Sequence, residues 1–132
     1  QVVKTLIKFL INEYGRVGRN AIISLRKLSK GSDEVVKTLI KFLTDNNSNI
    51  RSNAASVLGE LGKDSDGIIN PLIKLLSDEN NLVRYIATDT LSNLGKKSKQ
   101  IQPLIEKWLQ ENQNFENVGH GIDILWEIVT AE

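Results

Sequence analysis

No cysteine occurs anywhere in the 132-residue chain. Disulfides and thiolate metal ligands are therefore excluded, which fits a reducing compartment. Methionine is missing too, even at position 1, so the chain reads as a piece of something longer or as a processed product. Aromatic residues make up 5%, so a core must be built mostly from Leu, Ile, Val and Ala. Neither sign of charge dominates: 17 basic against 16 acidic residues leave a net charge of +1. Such a balance gives no global pull toward nucleic acid or an anionic membrane. No apolar run approaches the roughly 18 residues a membrane span requires. The first ten residues carry two lysines, with no cleavage-type segment after them. What remains is 40% hydrophobic and 25% charged, the composition of an ordinary globular domain. One domain over 1–132 and a cytoplasmic location are expected.

What is present is a repeat. Residues 2–10 read VVKTLIKFL, and residues 35–43 read VVKTLIKFL again, 33 positions later. The segment Pro71 to Leu76 reads PLIKLL, and Pro103 to Trp108 reads PLIEKW. A second element alternates with this one. Its apolar positions are Val17, Ala21, Leu25 and Leu28, then Ile50, Ala54, Leu58 and Leu61, then Val83, Ala87, Leu91 and Leu94. The last set is placed at Val118, Ile122, Trp126 and Val129. Steps of 4, 4 and 3 put each set on one face of an α-helix. In the lysine-bearing element Val36, Leu39, Ile40 and Leu43 also follow helical spacing, and strand alternation is absent.

The spacing therefore predicts an all-α chain of paired helices, the lysine-bearing ones labelled B and the stripe-bearing ones A. Their order is B0 (2–13), A1 (16–30), B1 (33–44), A2 (48–62), B2 (67–77), A3 (80–95), B3 (100–111) and A4 (115–130). Turn-rich links such as Gly62 to Gly67 and Asp45 to Ser48 separate them, with Gly, Ser and Asp suited to helix ends. The small Ala21, Ala54 and Ala87 should let A and B helices approach closely. Stacking such pairs builds one continuous core and makes stability a sum of unit and interface terms.

The ankyrin and tetratricopeptide signatures are absent, although both have a similar period. The pattern Pro71-Leu72-Ile73-Lys74-Leu75-Leu76, Asp78, Val83-Arg84, Ala87, Leu91 and Leu94-Gly95 resembles HEAT repeats, in particular the short HEAT-like repeats named after phycobilin (PBS) lyases. Asp45, Ile50-Arg51, Ala54-Ala55, Leu58-Gly59 and Leu61-Gly62 give the same match. Glycines, Gly18 and Gly119, stand at the arginine position of the outer units. The resemblance implies a right-handed α–α superhelix of about four helix pairs, with the B helices on the concave face. It also implies a structural ladder in which Asp45 and Asp78 lie near Arg51 and Arg84.

Catalytic and metal-binding patterns are not apparent. His120, the single histidine, has no clustered partner and cannot make a zinc site. No serine has a base at recognisable spacing. Gly15 to Gly18 lacks the Lys-Ser/Thr ending of a phosphate loop. Asp64 and Asp66 fall short of a calcium loop. No enzyme, cofactor or metal is expected. The strongest candidate site is a register of charges on the B helices: Lys4 with Lys37, and Lys8, Lys41 and Lys74 followed by Glu106. Across a concave face these would bind a protein partner with an acidic segment. Lysine is also an ordinary solvated residue on a helix face. Missing interleaved aromatics make nucleic-acid-backbone binding through this lysine ladder the weaker version.

The expected function is a protein–protein interaction scaffold. A phycobilin lyase-like chaperone is the alternative implied by the repeat subtype. Trp108 and Trp126 are expected in the core or at a cap, and Tyr85 on an outer or lateral face. Helix B0 should leave Val2, Val3, Phe9 and Ile11 partly uncovered, which would permit self-association there.

Overall fold

The computed structural model describes residues 33–61, 66–113 and 118–131, together with Thr5, Asn20, Ser24 and Lys27. Every regular element among them is helical. They are α1 (Asp33–Phe42), α2 (Ser48–Leu61), α3 (Asp66–Lys74), α4 (Asn81–Gly95), α5 (Ile101–Glu111) and α6 (Gly119–Thr130). A 3-10 turn, Leu75–Ser77, extends α3. Helices α1, α3 and α5 are the lysine-bearing B helices, and α2, α4 and α6 the stripe-bearing A helices. Thr5, Asn20, Ser24 and Lys27 are helical as well. The rest of B0 and A1, with Lys4, Lys8 and the apolar Val2, Val3, Phe9 and Ile11, lies outside the described residues.

Local chemistry sets the helix ends. The carboxylate of Asp45 accepts the Asn47 N–H at 2.9 Å, and the Asn47 side chain accepts the Asn49 N–H at 2.8 Å, turning the chain into α2. Asn80 caps α4 by accepting the Val83 N–H at 3.1 Å. Pro103 lies in the first turn of α5, where its missing N–H leaves no gap in the ladder. Pro71 lies inside α3, where it removes one bond, and that helix runs for only 9 residues before tightening.

One core cluster passes through all six elements. Leu39 and Leu43 come from the α1 unit. Ala54 and Leu58 come from α2, Ile69 and Leu72 from α3, and Ala87 and Leu91 from α4. Ile101 and Ile105 of α5 and Ile124 of α6 complete it. Each fully buried aliphatic side chain gains about 1.5–3 kcal/mol over an exposed one. In α4 the expected stripe is buried throughout, at Val83, Ala87, Leu91 and Leu94. Trp108 is also in the core.

The stripe of α6 falls elsewhere than expected. Ile122, Trp126 and Val129 are exposed, while Gly121, Ile124 and Ile128 are buried and Leu125 packs against them. The last unit is offset by 34 residues from α4, so Gly121 takes the place of Ala87 and Ile128 that of Leu94. A side chain at Gly121 is impossible without rearrangement: an added Cβ would stand 2.8 Å from Leu109 Cδ2 and 2.9 Å from the Trp108 ring. Six apolar residues crowd into positions 122–129, so two helical stripes compete there, and the contact with α5 selects between them.

The two layers are unequally close. Successive units touch mainly through their A helices, α2 on α4 and α4 on α6. The B helices meet at a few points, α1 with α3 and α3 with α5. In a curved stack the more closely spaced layer lies on the inside. These contacts run against the expectation that the B helices line the concave face, and put the A helices there. Glycine makes the close spacing possible, because an added Cβ at Gly59 would stand 2.8 Å from Thr90 Cγ2.

Candidate functional site

Two clusters follow from this arrangement. One joins neighbouring units, and the other is open to solvent. In the first, the Arg51 guanidinium forks onto the Asp78 carboxylate, Nε donating to Oδ2 at 2.9 Å and Nη2 to Oδ1 at 3.0 Å. Both side chains are about nine-tenths buried. Nη1 donates to the carbonyls of Asp45 and Asn46 at 2.8 and 3.2 Å. One arginine thereby ties its own inter-helix turn to the turn of the next unit. Asp78 also accepts the Asn80 N–H at 2.9 Å, so the carboxylate that meets Arg51 shapes the start of α4 as well. Donating hydrogen bonds to the Asp78 carboxylate holds the Arg51 pKa above its ordinary value, against the opposing pull of burial; the charges of Asp78, Glu79 and Asp45 add to the rise.

Arg84 repeats half of the pattern. Its Nη1 donates to the Asp78 carbonyl at 2.6 Å and Nη2 to Asn81 Oδ1 at 3.2 Å. Its buried Nε has no partner among the described residues. The position that would supply one, 33 beyond Asp78, holds Glu111, and Glu111 approaches Lys107 at 3.9 Å instead. Asp45 has its carboxylate on Asn47, and the arginine position one unit earlier is Gly18. One complete rung, Arg51 with Asp78, is therefore present among the described residues.

The second cluster is a pair of grooves along the exposed side of the A helices. A groove of about 360 Å³ between α2 and α4 is lined by residues including Ser56, Gly59, Glu60, Asn93 and Lys97. A groove of about 380 Å³ between α4 and α6 is lined by residues including Tyr85, Asp89, His120, Asp123, Trp126 and Glu127. Tyr85 and Trp126 are 62% and 68% exposed, so two aromatic faces are offered to solvent. Glu127 is tied to Lys96 at 3.2 Å. Asp89 and Asp123 are exposed and have no hydrogen bond or ion pair among the described residues. The second groove is thus acidic and aromatic.

The lysine register is placed differently. Lys37, Lys41 and Lys74 are exposed on α1 and α3, and Glu106 is exposed on α5, where it accepts from Gln102 at 3.2 Å. All four belong to the more widely spaced layer and line neither groove. Tyr85 was legible in the sequence as an outward residue. Trp126, Asp89 and Asp123 were missed, and placing Gly121 opposite Ala87 would have revealed the first and last of them. Among the described residues no group of three or more His, Asp or Glu is placed to hold a metal ion, and no helix is long and apolar enough to cross a membrane.

A family model described as HEAT repeats matches residues 3–67, and a second, HEAT repeat, matches residues 68–98. No curated protein matches. Among solved structures, computationally designed armadillo repeat proteins for modular peptide recognition are similar at 20% identity and a TM-score of 0.52. That match covers 95% of this chain and 63% of the designed one, so the chain spans less than two thirds of it. An engineered protein is similar at 19% identity and a TM-score of 0.52, covering 99% of this chain and 68% of the other. At these identities the likeness establishes a shared armadillo-like α-solenoid fold.

Proposed function

Because this chain belongs to the HEAT repeat family, we propose that it is a protein-binding scaffold that takes an extended segment of a partner across the exposed side of its A helices. The observation that carries this reading is the groove between α4 and α6, where Tyr85 and Trp126 stand beside the unpaired carboxylates of Asp89 and Asp123. Exposed aromatic faces with few rotatable bonds are favourable anchors for a partner chain. A lysine or arginine side chain placed over either ring and near either carboxylate gains cation–π and ionic attraction together. The partner segment is therefore basic, the reverse of the acidic segment that the lysine register alone would require. The general mode is supported by the designed armadillo repeat proteins of similar fold, which were made for modular peptide recognition.

The test is a titration of the chain with a basic peptide and its glutamate-substituted twin. Saturable binding of the basic peptide should weaken at least fivefold in Tyr85→Ala and in Asp89→Asn, with salt weakening it further. Equal affinity for both peptides, or indifference to both substitutions, would remove the groove as the site.

A further inference from the structure

The sides by which A helices meet can be followed from one unit to the next. On α2 the side toward the following unit carries Ala55 and Gly59. On α4 the equivalent positions, 33 residues on, are Thr88 and Ser92, with Gly95 completing the row. These residues are small, and the next unit covers them. Ala55, Ser92 and Gly95 are buried, and Gly59 and Thr88 are half-buried. The fit has no slack: an added Cβ at Gly95 would stand 2.6 Å from Ile128 Cγ1. Small residues in this row set the distance between units.

The same row on α6, 34 residues beyond α4, is Ile122, Trp126 and Val129. The three are 56%, 68% and 57% exposed. At steps of 4 and 3 they form an apolar ridge along one side of the helix. This ridge continues an interface the molecule already makes twice, with the residue sizes inverted. A further unit of the same kind cannot dock on it at the same distance, because an indole stands where Gly59 and Ser92 stand in the earlier copies. A covering helix must lie further out and accept Trp126 into a groove of its own.

Charge narrows the choice of that helix. Asp123 and Glu127 follow Ile122 and Trp126 in the chain, about 100° further round the helix, and so border the ridge. Glu127 is tied to Lys96, Asp123 is unpaired, and α6 contains no lysine or arginine. A second copy of α6 laid against the first would bring carboxylate toward carboxylate. A helix edged with lysine or arginine would not.

We propose that the exposed side of α6 docks an amphipathic helix of a partner protein, whose apolar stripe covers Ile122, Trp126 and Val129 and whose basic edge meets Asp123. This surface adjoins the α4–α6 groove at Trp126 and Asp123 but is separate from it at Ile122 and Val129, so the two readings can fail independently.

The experiment titrates the intact chain with a synthetic amphipathic helix that has one leucine stripe edged by lysines. A twin edged by glutamates is the control. Tryptophan emission reports the contact, because Trp126 is exposed and Trp108 is buried. The lysine-edged helix should bind saturably and shift the emission to the blue. The glutamate-edged twin should bind at least tenfold more weakly. Ile122→Ser and Val129→Ser should each weaken the lysine-edged helix at least fivefold. Both should leave the thermal midpoint, and the binding of a basic extended peptide in the groove, unchanged. Absence of saturable binding overturns the proposal, as does equal binding of the twins or indifference to both serine variants. Sedimentation of the chain alone supplies the last outcome: self-association abolished by Ile122→Ser would identify a second copy as the occupant and overturn the assignment to a partner.

Discussion

Replacing Asp78 by alanine should be the most costly single change in the inter-unit turns. It removes three hydrogen bonds: two from Arg51 and one from the Asn80 N–H. Removing one partner of a buried ion pair costs about 3–5 kcal/mol, because the other charge is left without compensation. Here the figure belongs near the lower end. Arg51 keeps its bonds to the Asp45 and Asn46 carbonyls, and Glu79, 89% exposed at 3.9 Å, can take up part of the charge. The lost Asn80 bond adds about 1 kcal/mol. The total is about 3–4 kcal/mol, or a fall of about 10–15 °C in the thermal midpoint of a chain this size. Asp78→Asn, which can still accept from Asn80, should lose roughly half as much. Urea unfolding of Asp78→Ala, Arg51→Met and the double variant measures the coupling directly. A solenoid can unfold in stages, so amide exchange at α2 and α4 should accompany the global curves. A loss below about 1 kcal/mol for Asp78→Ala, or additive single effects, would refute the assignment of the rung as the clamp between units.

Other outcomes follow from the same geometry. Arg84→Met should cost less than about 1.5 kcal/mol in the same unfolding assay, since its Nε is already unpaired and its bonds stay within one unit. Leu91→Ala, at a fully buried position between units, should cost about 2–5 kcal/mol by cavity formation; a smaller loss would mean the α4 stripe is not core. Changing Lys37, Lys41 and Lys74 together to glutamate should leave basic-peptide affinity within about twofold at physiological salt, as these residues line neither groove. The Arg51 pKa is raised above its unfolded value, so its titration lies higher still on the strongly alkaline side. Its contribution is therefore present at every pH below the unfolded value and lost only as the pH climbs through the folded value. A stability gap between the parent and Arg51→Met that closed between about pH 7 and pH 10 would contradict the sign of this shift.

The helix pairs were legible because each apolar set recurs at helical spacing inside a 33-residue period, and Val83, Ala87, Leu91 and Leu94 are buried as that spacing requires. Helix ends followed too, since Asn80 and Asp45 carry the side chains that cap and turn a chain. Three matters were decided elsewhere. The stripe of α6 depends on the fit of Gly121 against Trp108 and Leu109, which no count of spacings within one helix reveals. Which layer faces inward depends on the closeness of A helices, and that comes from small residues meeting across units, as Gly59 meets Thr90. The lysines attracted notice because they repeat. Tyr85 and Trp126 each occur in a single unit and have no period to betray them, and Asp123 matches Asp89 only at the offset of 34 that Gly121 sets.

Gly59 and Gly95 make each joint between units a hinge with almost no clearance, so a single methyl group would act as a shim. A few tenths of an ångström inserted at one joint tilts everything beyond it, and the tilt grows with distance along the molecule. The curvature available to a bound chain is therefore encoded by two small residues at the joints, Gly59 in the wall of the α2–α4 groove and Gly95 against Ile128. Variation among related arrays in how tightly they coil should be sought at these two columns, ahead of the faces that meet partners.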